Sequence, residues 1–325
     1  MIQEISLQAI QGVRIGNAEN TRGGTGCTVL LFPHGAVCSV DIRGGAPASR
    51  ETALLDPVAT AETVHAVLLS GGSAFGLAAA DGVMRYLQEQ GVGFATRCGP
   101  VPLVVGSCIF DLPCGDIVYP DAAMGHAACR HSEENAPQEG NYGAGTGASV
   151  GKIAGASRMM KAGLGMFAVQ SGALQVGAVM VVNALGDVLS EKNTVLAGLR
   201  TPDGGALAST QQYVWEHMEA VSTIFTGTVE NTTIGAVITN GGGTKTQMKK
   251  VAAMASNGLV RAVSPVNTTA DGDSIYAASV GKVPASVDEM GILASYAVTC
   301  AVRRAVRCAT GAYGIPARRD LIKNK

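Results

Sequence analysis

Aromatic residues are scarce in this chain, 4% of 325 residues with a single Trp, and charged residues make up only 15%. A chain so poor in charge lacks the solvated composition of a disordered segment and the charged flanks of a coiled coil, which excludes both. No run of 18 or more apolar residues occurs, although mean hydropathy is +0.24, so no transmembrane helix is predicted. Eight cysteines and five histidines include neither C-x-x-C nor H-x-x-x-H, the spacings that commonly mark redox and zinc motifs. His126 and His131 flank Cys129 but do not make a metal set, and the cysteines read mostly as reduced core thiols. The opening Met1-Ile-Gln-Glu-Ile5 carries acid where a secretory signal carries a basic flank, so a cytoplasmic location is expected.

Glycine, by contrast, is abundant at 43 residues, about twice its usual share, with no triplet period that would make it collagen-like. Charge is unevenly placed. Residues 1–231 hold 12 Lys+Arg against 20 Asp+Glu and residues 232–325 hold 12 against 5, so the net −1 divides into −8 and +7. The two stretches should attract each other. Basic residues in the second are scattered without interleaved aromatics, so nucleic-acid binding is not expected.

β-branched and alternating segments predict strands at 27–32, 36–42, 64–69, 102–105, 165–170, 173–182, 232–239 and 274–280. Helical spacing predicts helices over 73–90 and 246–257. A third helix opens on the capping box Ser286-Val-Asp-Glu289 and runs to Gly311. Its apolar residues, among them Ile292, Leu293, Val298, Val302 and Val306, lie almost all round, so it should be buried on most of its surface. Strands interspersed with a few long apolar helices place the chain in the α+β class. No composition break divides it, and the loose stretches 130–143 and 191–205 are too short to link independent domains, so one domain over 1–325 is expected.

The glycine-rich stretch Gly143-Ala-Gly-Thr-Gly-Ala-Ser-Val-Gly-Lys152 invites a phosphate-loop reading, but Thr146 and Ile153 stand where that motif needs Gly and Ser or Thr. The dinucleotide spacing fails as well. What remains is Lys152 behind a tight glycine turn. Glu230-Asn231-Thr232-Thr233 running into a strand, and Asp271-Gly-Asp273 before another, read on their own as turns leading into core strands.

Several strings in order along the chain resemble the DmpA-type L-aminopeptidase/D-esterase family. They are Gly12-Val-Arg14, Arg43-Gly-Gly-Ala-Pro47 with Arg50-Glu51, Ser70-Gly-Gly-Ser-Ala-Phe-Gly-Leu77, Ala80-Asp-Gly-Val-Met84, Gly143 to Lys152, Val181-Val-Asn183, Asn231 to Asn240 and Asp271-Gly-Asp273. That family includes β-aminopeptidases, a pantetheine hydrolase and nylon-oligomer hydrolases, and its members are self-processing N-terminal-nucleophile hydrolases. The resemblance implies a four-layer α-β-β-α sandwich and a cut between Asn231 and Thr232 into chains 1–231 and 232–325. It makes Thr232 the nucleophile, places Lys152 beside it, gives Asn183 the oxyanion, and matches Asp271 and Asp273 to orienting positions. Phe110 stands in the substrate pocket where several relatives carry Tyr, and Asn267 where some carry His. The resemblance implies no metal or organic cofactor, a small amide, peptide or amide-oligomer substrate such as a 6-aminohexanoate oligomer, no membrane or nucleic-acid partner, and a homo-oligomer of cleaved heterodimers. Two other readings stand beside it: an acyltransferase like the ornithine acetyltransferases, and a catalytically silent oligomeric scaffold.

Overall fold

The computed structural model describes residues 1–219 and 231–322. Ten strands form one continuous sheet: β1 (Ile2–Ile5), β2 (Arg14–Asn20), β3 (Thr25–Ile42), β4 (Ser49–Arg50), β5 (Val64–Ser70), β6 (Val104–Cys108), β7 (Leu164–Ser171), β8 (Leu174–Asn183), β9 (Thr232–Gly241) and β10 (Ser274–Val283). Their order is β1-β7-β8-β9-β10-β3-β5-β6-β4, with β2 on the first half of β3. β9 and β10 run parallel, as do β5 and β6, and the remaining pairs are antiparallel.

β3 folds this sheet into two layers. Its second half pairs with β10, its first half with β2 and β5, and the register shifts between Leu31 and Ala36. Pro33-His34-Gly35, which punctuates the sequence and predicts two strands, is therefore a bulge in one long strand. Extra residues at such a bulge bend and twist the strand without ending it.

Alternation along the strands sorts side chains into three apolar layers. Leu30, Val67, Val179, Val181, Ile234, Ala236, Ile238 and Tyr276 fill the space between the two sheet layers. Met180, Val182 and Val237 face outward under α3 (Lys245–Val260) and α4 (Val287–Cys308). Val29, Leu31 and Leu68 face the opposite way, under α1 (Ala79–Glu89) and α2 (Ala122–His131). The result is the α-β-β-α sandwich.

The helices depart from expectation in instructive places. α4 begins at the anticipated capping box, with Ser286 and Glu289 satisfying each other's backbone N–H groups. Val298, Val302 and Val306 are buried and, as expected, so is most of the helix surface; Ile292, 63% exposed, and Tyr296 mark its narrow open face. α3 starts at its own capping box, Thr244 with Gln247, just before the predicted start. Residues 73–78 form a 3-10 turn and the α-helix begins only at Ala79. Ser73 takes φ +52°, and the Gly72 and Ser73 N–H groups are drawn to Asp111 Oδ1 and the Ile109 carbonyl, which winds the segment tightly. α2 has no counterpart among the predicted helices. Its small residues give little helical period, although Asp121 caps it by accepting from Met124 N–H at 2.9 Å.

The charge division appears as ion pairs between the two stretches. Arg304 meets Glu139 at 2.8 Å and Glu4 at 2.9 Å, and Arg307 meets Glu191 at 2.7 Å. No described helix is long and apolar enough to cross a membrane.

Candidate active site

Thr232 is the first residue of β9, a strand enclosed by β8 and β10. In the register of β8 and β9, Asn183 lies directly opposite Thr232. Thr232 has the parity of Ile234 and Ala236, and Asn183 that of Val181 and Val179, so both side chains point between the sheet layers. They sit at the end of that core, where the apolar filling gives way to polar groups. Thr232 is 5% exposed and Asn183 fully buried.

Each polar atom of the Asn183 side chain is held. Its Oδ1 accepts from the Lys152 ammonium at 2.7 Å and from Ser149 N–H at 3.1 Å, while Nδ2 donates to the Phe110 carbonyl at 2.9 Å. Lys152 also donates to the Asn183 carbonyl at 3.1 Å. Its backbone is placed by a reciprocal turn: Gly151 N–H binds the Gly186 carbonyl and Lys152 N–H the Leu185 carbonyl. Gly151 has φ +72°, and a Cβ there would lie 2.1 Å from Gly198 C and Leu199 N, so only glycine fits. The glycine-rich stretch thus delivers a lysine to the end of β8.

On the other side of Thr232 the loop before β10 supplies two buried carboxyls. Asp271 Oδ2 accepts from Thr268 N–H at 2.8 Å and Thr268 Oγ1 at 2.6 Å. Asp273 accepts from Thr233 N–H at 2.5 Å and Asn267 N–H at 3.0 Å, with Asn267 at φ +60°. Burial raises the pKa of Asp271, while its hydrogen bonds to Thr268 and the Lys152 charge draw it back. Burial, together with neighbouring Asp271, pushes Asp273 up to about 8. Two like charges so close cannot both form cheaply, and the Lys152 charge favours the ionised form of Asp271. The loop is braced by the Arg43-Gly-Gly-Ala-Pro47 string. Arg43 and Gly44 N–H groups donate to the Asp273 carbonyl, Gly45 to that of Thr268, and Ala46 to that of Asp271.

Gly272, between the two carboxyls, was seen in the sequence only as part of a turn. Its N–H donates to the Asn231 carbonyl at 3.0 Å, and the Thr232 hydroxyl donates to the same oxygen. A Cβ on Gly272 would stand 2.9 Å from Thr232 Oγ1. Backbone donors carry no side-chain signature, which is why this one escapes sequence reading.

Phe110 contributes its carbonyl to Asn183 and, with Pro113, Cys114, Met159 and Lys152, lines a cavity of about 140 Å³. Larger hollows of about 410 and 430 Å³ lie beside Arg307 and Arg304 and touch none of these residues. His126 and His131 point apart, to Glu89 and to the Asn17 carbonyl, with Cys129 buried in the α1–α2 layer. Among the described residues no group of three or more His, Cys, Asp or Glu side chains is arranged to hold a metal.

Solved structures with this architecture include a β-aminopeptidase of Burkholderia sp., with a TM-score of 0.68 at 19% identity over 97% of this chain and 91% of that one. Another is the L-aminopeptidase D-Ala-esterase/amidase of Ochrobactrum anthropi, with a TM-score of 0.64 at 20% identity over 98% and 93%, described as a variant of the N-terminal-nucleophile hydrolase fold. The chain therefore has the fold of the N-terminal-nucleophile hydrolases.

Sequence relatives narrow the class. An uncharacterized aminopeptidase of Mycobacterium leprae is 37% identical over 96% of this chain and 92% of its own length. A 6-aminohexanoate-oligomer endohydrolase of Agromyces sp. is 30% identical over 84% of this chain and 74% of its own. The pattern of Peptidase family S58 matches residues 6–318. The chain belongs to Peptidase family S58 and is a hydrolase acting on amide bonds.

Proposed function

We propose that this protein is a self-processing amide hydrolase that cuts its own Asn231–Thr232 bond and then acts through the freed N-terminal Thr232. The carrying observation is the position of that bond: the Asn231 carbonyl lies between the Thr232 hydroxyl and the Gly272 N–H, opposite an immobilised Asn183 beside Lys152. Attack of Thr232 Oγ on the Asn231 carbonyl gives an ester by an N-to-O acyl shift, and water hydrolyses it. Cleavage divides one folded domain into chains 1–231 and 232–325.

After the cut, Thr232 has an α-amine, ordinarily of pKa about 7.7–8.0, next to its hydroxyl. The amine takes the hydroxyl proton as Oγ attacks the substrate carbonyl and returns it to the departing amine; water then releases the acyl group. Lys152 lowers the pKa of that amine through its charge, and Asn183 donates to the tetrahedral oxygen. Asp273 holds Thr233 N–H and so fixes the start of β9, while Asp271 balances Lys152. Substrates are small peptides, amides or amide oligomers of the 6-aminohexanoate type, entering over Phe110. The working particle is a cytoplasmic homo-oligomer of cleaved heterodimers.

Mass and N-terminal sequencing of the denatured protein test this. The expected fragments are 231 and 94 residues long, roughly 23 and 10 kDa by proportion. Thr232→Ala should remain a single 33.0 kDa chain without activity on alanine p-nitroanilide or 6-aminohexanoate oligomers. A Thr232→Ala protein that still cleaves at residue 231 would sink the assignment.

A further inference from the structure

Under the residues just described lies a second set of ionisable groups that the proposed chemistry leaves unused. Lys161 is fully buried, and its ammonium donates to the carbonyls of Ala148 at 2.7 Å, Ala162 at 3.0 Å and, more weakly, Gly145 at 3.4 Å. Lys161 also pairs with Ser149 in a two-residue ladder, Met160–Lys161 against Ser149–Val150. Ser149 N–H is one of the two donors that fix Asn183 Oδ1. The same ammonium thus holds the carbonyl immediately before Ser149 and the glycine turn leading into it.

A buried charge needs a reason, because it loses hydration that carbonyl partners only partly replace. The carbonyls of Gly145 and Ala148 each accept one backbone N–H, from Ala148 at 3.3 Å and from Ala162 at 3.0 Å, and each keeps a second lone pair facing the buried interior. A lysine, with three donors on a flexible stem, can gather them from beneath. We propose that Lys161 is a positioning residue: it clamps the glycine-rich turn so that Ser149 N–H and Lys152 reach Asn183 together and set the direction of its amide. This inference rests on the reading of Asn183, Lys152 and Thr232 as the catalytic set.

The charges facing Lys161 are those of the loop after β6. Asp111 accepts from Thr25 Oγ1 and Gly72 N–H, with burial pushing its pKa up to about 6. The Cys114 thiol donates to the Gly147 carbonyl at 3.1 Å, and burial raises its pKa. Tyr313 lies near both Cys114 and Asp111, and its pKa is also raised by burial; Lys152 acts on Cys114. Burial lowers the pKa of Lys161 to about 8, against the pull of Cys114 and Asp111. Above that pH its neutral amine has two hydrogens for three carbonyls, and the clamp slackens.

The experiment compares wild type with Lys161→Met, each confirmed folded and cut, using alanine p-nitroanilide. The variant should lose tenfold or more in kcat with KM changed by less than about twofold, and its kcat should fall less steeply above pH 8 than that of wild type, in which Asp273 also titrates near 8. Residue-resolved hydrogen exchange should show Ser149 N–H less protected in the variant while β8 and β9 stay protected. Unchanged kcat, or a lowered kcat with Ser149 N–H as protected as in wild type, overturns the proposal. If Lys161→Met does not fold, wild type decides: exchange at Ser149, corrected for its intrinsic rise with pH, should accelerate between pH 7 and 9, and a flat profile overturns the clamp. Thr232→Ala separates the two levels, because turnover in that variant would refute the catalytic set whatever Lys161 does.

Discussion

Gly272→Ala adds one methyl group at the point where the proposed nucleophile, the carboxyl loop and the loop after β3 converge. The new Cβ would stand 2.8 Å from the Ala46 carbonyl oxygen, 2.9 Å from Thr232 Oγ1 and 3.2 Å from Thr232 Cγ2. Ordinary contact begins near 3.4 Å, so about half an ångström must be found. Ala46 yields little, because its own N–H is bonded to the Asp271 carbonyl at 2.9 Å. Thr232 gives way instead. Overpacking of this kind costs roughly 1–3 kcal/mol of stability, which leaves a domain of ordinary stability folded. A displacement of 1 Å can cost about 100-fold in rate, so half that distance predicts roughly tenfold. Both reactions at Thr232 should slow: self-cleavage, followed as the approach of a freshly translated chain to two bands on a denaturing gel, and kcat of whatever fraction matures. The Gly272 N–H remains, so its hydrogen bond to Asn231 is not what the methyl removes. A variant that matures fully and retains kcat within twofold of wild type would refute the claim that Gly272 makes room for the nucleophile.

Asn183→Ala should lower kcat of mature protein by on the order of 100-fold or more, as for other oxyanion donors, and Lys152→Ala should impair maturation and turnover together; normal kcat in mature Asn183→Ala removes it from that role. Asp273 has a folded pKa raised to about 8, so the stability it contributes is fully present below the unfolded value near 3.9 and is lost as pH rises toward 8. The stability deficit of Asp273→Asn relative to wild type should therefore narrow from pH 5 to pH 8 in denaturant titrations, and a constant or widening deficit contradicts the shift. The 231- and 94-residue fragments should co-elute in 1 M salt as a particle larger than 33.0 kDa, because α4 packs an apolar face on β7 and β8 that salt does not screen; separated fragments would refute the shared core, and a 33 kDa particle only the oligomer.

What could be read in advance follows a physical line. β8 stands out as a Val-rich run and β9 as a run of Thr, Ile and Val, and the α4 capping box fixes its start, because both depend on residues near in sequence. Thr232 and Asn183 carry no local sign of function, and only the ordered set of strings along the chain points to them. Gly272 and Ser149 act through backbone N–H groups, and Lys161 through burial, so neither spacing nor residue type marks them. The apolar residues almost all round α4 match its cover, because α3 packs on it as well as β7 and β8, and Ile292 and Tyr296 lie on the narrow face that none of these reaches. Pro33 and Gly35 resemble the end of a strand, yet their neighbours in β3 keep pairing with β5 across them.

The enclosure of β9 between β8 and β10 has a thermodynamic consequence once its first peptide bond is cut. An intact chain folds by a reaction of one molecule, whose balance is independent of dilution. The cut chain is held by the same contacts, but its unfolding releases two molecules and its refolding requires them to meet. Its midpoint of denaturation should then rise with protein concentration, in the manner of an obligate dimer. A single hydrolysed bond at the head of an inner strand thus changes the molecularity of folding while leaving the packed layers as they were.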